Sequence, residues 1–230
     1  MNTRKLVSFD LDSTLVDPTY TAFVWEIGIP QLYAKNHHVS LSEATSRVIS
    51  EYQKLGDGSL EWYDISYWFN YFELPGTWKE FMEEHRDKIK LFPEVKGVLE
   101  DLAQSFHLIV ISNAAREFVD LELEETEIAT YFMRTFSTTS DFGQVKKTPE
   151  CFETILKKME ANPSDTAHVG DHYEFDYLIP RRLGIKAYFL DRDGKEPEGR
   201  FTVRDLRDFA LRIKNPLTFT DSVTGFGFLT

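Results

Sequence analysis

The sequence holds one cysteine, Cys151, among 230 residues, so no intramolecular disulfide can form and a cysteine-stapled secreted scaffold is excluded. No apolar run approaches the roughly 18 residues that a membrane-spanning helix needs. The opening residues, Met1-Asn2-Thr3-Arg4-Lys5, lead into a stretch before Asp10 that is too short for the apolar region of a signal peptide. The expected location is therefore the cytoplasm. Basic residues are in deficit: 26 Lys plus Arg stand against 38 Asp plus Glu, a formal charge of −12. That balance argues against nucleic acid or an anionic membrane as a partner through a broad basic face. It leaves room for a small phosphorylated molecule, because one buried lysine or a metal ion reverses the field locally. Internal repeats and low-complexity linkers are also missing. What remains is a chain with 42% hydrophobic and 28% charged residues, ordinary for a globular protein with a sizeable core.

Short apolar runs ending in polar residues recur along the chain. Residues 5–10 (Lys-Leu-Val-Ser-Phe-Asp) read as a buried strand that ends in a carboxylate. Further strands are expected at His107–Ser112, near Thr135–Thr138, at Thr166–Gly170 and at Ile185–Leu190. Helical patterns separate them. Val95, Val98, Leu99 and Leu102 keep a spacing of three to four behind Pro93, and Phe152, Ile155, Leu156 and Met159 do the same behind Thr148-Pro149, a cap followed by a first-turn proline. Strands alternating with helices predict parallel βαβ units in a doubly wound α/β sheet.

The gap between the first two strands is too long for one crossover. Residues 18–90 read as a helical insertion: Ser40-x-x-Glu43 and Thr77-x-x-Glu80 fit capping boxes, and Gly56 can stop the first of these helices. All four tryptophans (Trp25, Trp62, Trp68 and Trp78) fall in this segment, and the simplest expectation is that its aromatics form its own core. The insertion is expected over the carboxyl ends of the strands, where open α/β sheets bind ligands. The division is thus 1–17 and 91–214 for the sheet domain, 18–90 for the insertion, and a Thr-, Gly- and Phe-rich tail at 215–230. That tail can pack on the core, add an edge strand or meet a second subunit, so monomer and homodimer both stay open.

Four features sit at strand ends, in order. Asp10-Leu-Asp12-Ser13-Thr14 follows the first strand, and its carboxylates can share one site if the chain turns there. Ser112-Asn113 ends the second strand and offers a hydroxyl and backbone N–H groups to phosphate oxygens. Lys146-Lys147-Thr148-Pro149 supplies a cation before a helix. Gly170-Asp171 ends the fourth strand, with Asp176 five residues on. Each alone reads as a turn, a solvated lysine pair or a helix cap. Together they form a pattern.

That pattern resembles the haloacid dehalogenase-like hydrolase superfamily, in the branch with a helical cap typified by phosphoglycolate phosphatases. The resemblance implies a Rossmann-like core with an inserted α-helical cap. It makes Asp10 a nucleophile that forms an aspartyl-phosphate, and Asp12 the acid that protonates the leaving oxygen and later activates water. Ser112, Asn113 and Thr14 would hold the substrate. The family's lysine lies six residues before the helix phenylalanine, here Phe152, which selects Lys146 over Lys147. Mg²⁺ would sit with Asp10, Asp12 (through its carbonyl), Asp171 and Asp176.

Physical logic runs parallel to the resemblance. A carboxylate that attacks a dianionic phosphate is repelled by it, and a hard, oxygen-ligated cation offsets the repulsion. A covalent step divides a difficult hydrolysis into two easier ones. Asp12 favours a phosphomonoester hydrolase over a 2-haloacid dehalogenase, because halide leaves without a proton and an alkoxide does not. A catalytically silent binding protein of the same fold would lack at least one of Asp10, Asp12, Lys146 and Asp171, and all four are present. Two departures from the family pattern stand out: Ser13 where Gly is common, and Lys147-Thr148 where Pro-Asp is usual. His37-His38 lacks a third ligand for a metal site. Val203, Leu206, Phe209 and Ile213 are expected to face inward from a final helix.

Overall fold

A computed structural model describes residues 5–197 and 199–215. Its centre is a six-stranded sheet in the order β3-β2-β1-β4-β5-β6. The strands are β1 (Leu6–Phe9), β2 (His107–Ser112), β3 (Arg134–Ser137), β4 (Thr166–Gly170), β5 (Lys186–Leu190) and β6 (Thr202–Val203), and every pairing is parallel. The α/β class and the first five strands follow the expectation from sequence. The sixth does not. Val203 is buried from within β6, ahead of a helix that begins only at Leu206.

Strand alternation explains how the sheet is covered. Val7 and Phe9 of β1, Leu108 and Val110 of β2, and Ala167 and Val169 of β4 belong to one apolar cluster. Leu6, Ile109 and Ile111 belong to another on the opposite side. Successive side chains in a strand point to opposite faces, so both faces are apolar, as a parallel sheet between helix layers requires. The helix Pro149–Lys158, capped by Thr148 with Pro149 in its first turn, buries Cys151, Phe152, Ile155 and Leu156 in the second cluster. The helix Val95–Ala103 buries Val95, Val98, Leu99 and Leu102 in the first.

Between β1 and β2 the chain is helical, with α-helices at Ile29–His37, Leu41–Leu55, Ile65–Tyr71 and Trp78–Glu84. Thr77 and Glu80 form the full reciprocal capping box, and Ser40 accepts from the Glu43 N–H. Gly56 ends the helix Leu41–Leu55 at φ 77°, a conformation that residues with a Cβ resist. Trp68 is buried in this segment's interior, its ring 4.6 Å from that of Tyr52 and 5.3 Å from that of Phe72. His37 contacts the Phe72 carbonyl through Nε2 at 2.9 Å. The segment leaves and rejoins the sheet by two chains lying side by side. Asp17 N–H donates to Lys90 O at 2.8 Å, Phe92 N–H donates to Leu15 O at 3.2 Å, and Val16 bridges Leu91 antiparallel. Among the described residues no helix is long and apolar enough to cross a membrane. The tail 216–230 lies outside the described residues.

Candidate active site

The sheet order reverses around β1, whose neighbours are β2 on one side and β4 on the other. Chains diverge past the carboxyl ends of strands at such a point and leave a crevice. Asp10 extends the ladder by donating its N–H to Val169 O at 2.9 Å, and the chain then coils so that Thr14, Leu15 and Val16 all donate to Leu11 O. Ser13 takes φ 60° in this coil, which explains why a glycine would be at home there. Arg192, just past β5, clamps the coil. It donates to Ser13 O at 3.2 Å, Thr14 O at 2.7 Å and Glu94 Oε1 at 2.7 Å, with its guanidinium over the Phe92 ring at 3.6 Å.

Asp10, Asp171 and Asp176 each offer a carboxylate oxygen, and these atoms all lie within 4.8 Å of one another. Lys147, 1% exposed at its side chain, is among them: its Nζ donates to Asp10 Oδ1 and, at 2.6 Å, to Asp176 Oδ1. His168 Nε2 contacts Asp176 Oδ1 at 3.0 Å, and its Nδ1 lies 2.7 Å from Ser8 Oγ. A carboxylate only accepts, so Nε2 carries the hydrogen, and the Ser8 hydroxyl also donates to Ala167 O at 3.2 Å. Ser8 and His168 are register partners on β1 and β4, which is why one polar pair can interrupt an otherwise apolar sheet face. Asp176 packs against Gly170 so closely that a Cβ there would fall 2.4 Å from its Cγ. Gly170 is therefore required by contact, not by its dihedral angles.

These contacts set the charge states. Burial opposes ionisation of Asp176, but Lys147 and His168 outweigh it and hold the carboxyl well below the usual range. Burial likewise opposes the Lys147 charge, and Asp10 and Asp176 more than restore it, raising the ammonium above its ordinary value. Asp10 is raised by burial and by Asp176 against the pull of Lys147. Burial and then the Asp10 charge raise Asp12 to about 7. Burial of the Asp171 carboxyl and the neighbouring Asp10 and Asp176 charges raise it to about 8, although the residue as a whole is open to solvent.

The structure corrects two expectations. Lys147, not Lys146, meets Asp10. Thr148 caps the following helix in extended conformation, and the two preceding side chains diverge: Lys147 goes inward, while Lys146 Nζ pairs with Asp57 of the inserted segment at 3.0 Å and lies over the Phe175 ring. Thr14 is fully buried and donates to Asp10 Oδ2 at 3.3 Å, so it steadies that carboxylate instead of facing a substrate. The Asp12 carboxylate is absent from the three-carboxylate group and lines a separate cavity. Ser112 is buried and accepts from the Ala114 N–H at 3.0 Å, which ties the turn after β2. Asn113 accepts from Thr138 Oγ1 at 3.2 Å and borders the same cavity as Asp12.

That cavity, about 470 Å³, lies between the inserted helices and the carboxyl end of the sheet. Trp25, Tyr52 and Trp62 wall it on the inserted side, and Phe118 on the other. A family model described as haloacid dehalogenase-like hydrolase matches residues 4–184. The chain belongs to this family. Among relatives of the haloacid dehalogenase-like hydrolase, a phosphoglycolate phosphatase of Vibrio vulnificus is 25% identical over 81% of this chain and 83% of its own length. Haloacid dehalogenase-like hydrolase domain-containing protein 3 of Danio rerio is 38% identical over 38% of this chain and 36% of its own length. The crystal structure of an HAD phosphatase from Thermococcus onnurineus superposes with TM-score 0.79 at 23% identity, covering 91% of this chain and 97% of that one. That likeness is one of fold, and it matches the parallel sheet and its surrounding helices.

Within this hydrolase, Ser8, Lys147, His168 and Arg192 were missed as site residues. Ser8 and His168 had a readable signal, since each places a polar side chain mid-strand in a run otherwise bound for burial. Arg192 had none, because a charged residue after a strand is an ordinary surface feature. The three carboxylates suit a hard divalent cation: every donor is an oxygen, Asp171 stays open to solvent, and Gly170 makes room for Asp176.

Proposed function

We propose that this hydrolase is a phosphomonoester phosphatase in which Asp10 is the nucleophile and Lys147 its charge partner. One observation carries the reading: a carboxylate at a strand end is gripped by a buried lysine and a threonine hydroxyl, with a second carboxylate two residues on bordering a cavity. Attack by an Asp10 oxygen on phosphorus forms the acyl-phosphate as the phosphorus–alkoxide bond breaks, and Asp12 gives its proton to the departing oxygen. Water then attacks the acyl-phosphate, Asp12 takes its proton, and inorganic phosphate leaves. With a value raised to about 7, Asp12 is suited to both transfers near neutral pH. Lys147 offsets the negative charge that accumulates as the phosphoryl group approaches Asp10. Asp10, Asp171 and Asp176 would hold Mg²⁺, whose chemistry is to neutralise the phosphoryl oxygens. Thr14, Arg192 and the Ser8–His168 pair keep these groups in place.

The test is phosphate release from an aryl phosphate with and without Mg²⁺, in the wild type and in Asp10→Asn, beside chloride release from 2-chloropropionate. Magnesium-dependent phosphate release that disappears in Asp10→Asn is expected. Chloride release without phosphate release refutes the reading of Asp12.

A further inference from the structure

The cavity beside Asp12 has an unusual charge balance for an enzyme that handles anions. Its charged lining residues are Asp12 and Glu26, and among the described residues no Lys, Arg or His lines it. Residues 216–230 cannot supply a cation, since that stretch contains none of these three types. The cations nearest in sequence are already engaged, Arg116 by Asp120 and Asp141 and Arg47 and Lys54 by Glu51, and Lys147 is held by Asp10 and Asp176. With Asp12 protonated as the acid, the remaining charged lining residue is the carboxylate of Glu26, and no lining cation offsets the charge of an anionic leaving group.

The walls have the opposite character. Trp25 of the inserted segment stacks on Phe118 of the helix Arg116–Glu125 at 5.4 Å and 27°. Tyr52 lies edge-on to both Trp25, at 6.1 Å, and Trp62, at 5.8 Å. These rings border a space large enough for a ring-sized ligand. Among the described residues, two buried polar atoms of the lining have no hydrogen-bond partner: Asp12 Oδ1 and Tyr52 Oη. An orphaned hydroxyl in an aromatic pocket is a donor for a ligand acceptor, and an orphaned carboxyl oxygen on a residue of the same lining suits a departing alkoxide.

We propose that the substrate is a phosphomonoester whose leaving group is an uncharged, ring-bearing alcohol with a hydrogen-bond acceptor that meets Tyr52 Oη. This rests on the phosphatase reading above and narrows it. It sets the chain apart from its relative named for phosphoglycolate and from the pyrophosphatase PpaX of Oceanobacillus iheyensis, 32% identical over 46% of this chain. Phosphoglycolate and inorganic pyrophosphate both release an anion on hydrolysis, and this cavity has no counter-charge for one.

The experiment measures kcat/KM of the full chain with Mg²⁺ for benzyl phosphate, ethyl phosphate, phosphoglycolate and pyrophosphate. Benzyl and ethyl alcohols are leaving groups of similar basicity, so their ratio reports the pocket. Benzyl phosphate is expected to exceed ethyl phosphate by at least about tenfold, mainly through KM, with both anion-releasing substrates below ethyl phosphate. Trp62→Ala should reduce the benzyl preference. In Tyr52→Phe, which keeps the ring, a 4-acetylbenzyl ester should lose its advantage over the benzyl ester. If phosphoglycolate or pyrophosphate is preferred over benzyl phosphate, the proposed leaving group is wrong while the phosphatase reading stands. If none of the four releases phosphate, both are overturned.

Discussion

Replacing Lys147 with Met tests the arrangement most directly, because Lys146 beside it provides a built-in control. Lys147 is 1% exposed, and its partners Asp10 and Asp176 are 9% and 1% exposed. Removing the ammonium leaves two buried carboxylates facing one another without a counter-charge. Breaking a buried pair in this way costs about 3–5 kcal/mol. Lys146 is 32% exposed and Asp57 64%, so losing that pair costs about 0.2–1 kcal/mol. Urea unfolding of both variants in metal-free buffer, followed by tryptophan fluorescence, should therefore separate them by several kcal/mol. Adding Asp10→Asn to Lys147→Met should recover part of the loss, since it removes one stranded charge. Turnover should follow the same order, with Lys147→Met falling roughly 10²–10³-fold and Lys146→Met changing little. If the two variants lose stability and turnover alike, the assignment of Lys147 is refuted.

Three further outcomes follow from the structure. Ser13→Gly should stabilise the protein by up to about 1 kcal/mol in urea unfolding, because relief of the left-handed backbone outweighs the added chain entropy; a clear loss of stability would contradict this. Glu122 is buried and neither carboxyl oxygen has a hydrogen-bond partner among the described residues, and burial followed by the Asp12 charge raises it well above its ordinary value of 4.5. The folded state thus keeps a proton that the unfolded chain releases, so stability falls as pH rises from about 4.5. Glu122→Leu should flatten that decline and gain about 1–3 kcal/mol at neutral pH, read from urea midpoints across pH 5–8; an unchanged slope would refute it. Arg192→Ala strips the clamp from the Asp10–Thr14 coil, and kcat should drop roughly ten- to a hundredfold with a smaller change in KM.

Much of the architecture was legible because it depends on patterns the backbone enforces. Apolar runs of strand length, a proline behind a threonine cap and a capping box at Thr77–Glu80 each state a local geometry that tertiary packing did not override. The aspartates were legible for a similar reason, as carboxylates at strand ends have few structural uses. The lysine was not. Lys146 and Lys147 are adjacent and chemically identical, and counting back from Phe152 cannot show which side chain turns inward. That choice is made by the conformation entering the Thr148 cap, a property of the folded chain. The two-residue strand at Thr202–Val203 carries too little sequence to have a period. The tryptophans divided in a way composition does not reveal: Trp68 fills the interior of the inserted segment, whereas Trp25 and Trp62 border the cavity.

The paired chains at Val16 and Leu91 have a mechanical consequence. A segment fastened at one point can swivel freely, but one fastened by two hydrogen-bonded strands hangs from a ribbon. A ribbon bends easily across its flat face and resists shear along its edges. The neck restrains the inserted segment, which the Lys146–Asp57 pair and the Trp25–Phe118 stack tie to the sheet side at two further points. Trp25, Tyr52 and Trp62 belong to the inserted segment, while Asp12, Asn113 and Phe118 belong to the sheet side, so the cavity lies along the seam between the two sets. The carboxylates and Lys147 all lie on the sheet side of that seam. Any flexing at the neck therefore changes that seam and leaves the mutual distances of the chemical groups unchanged.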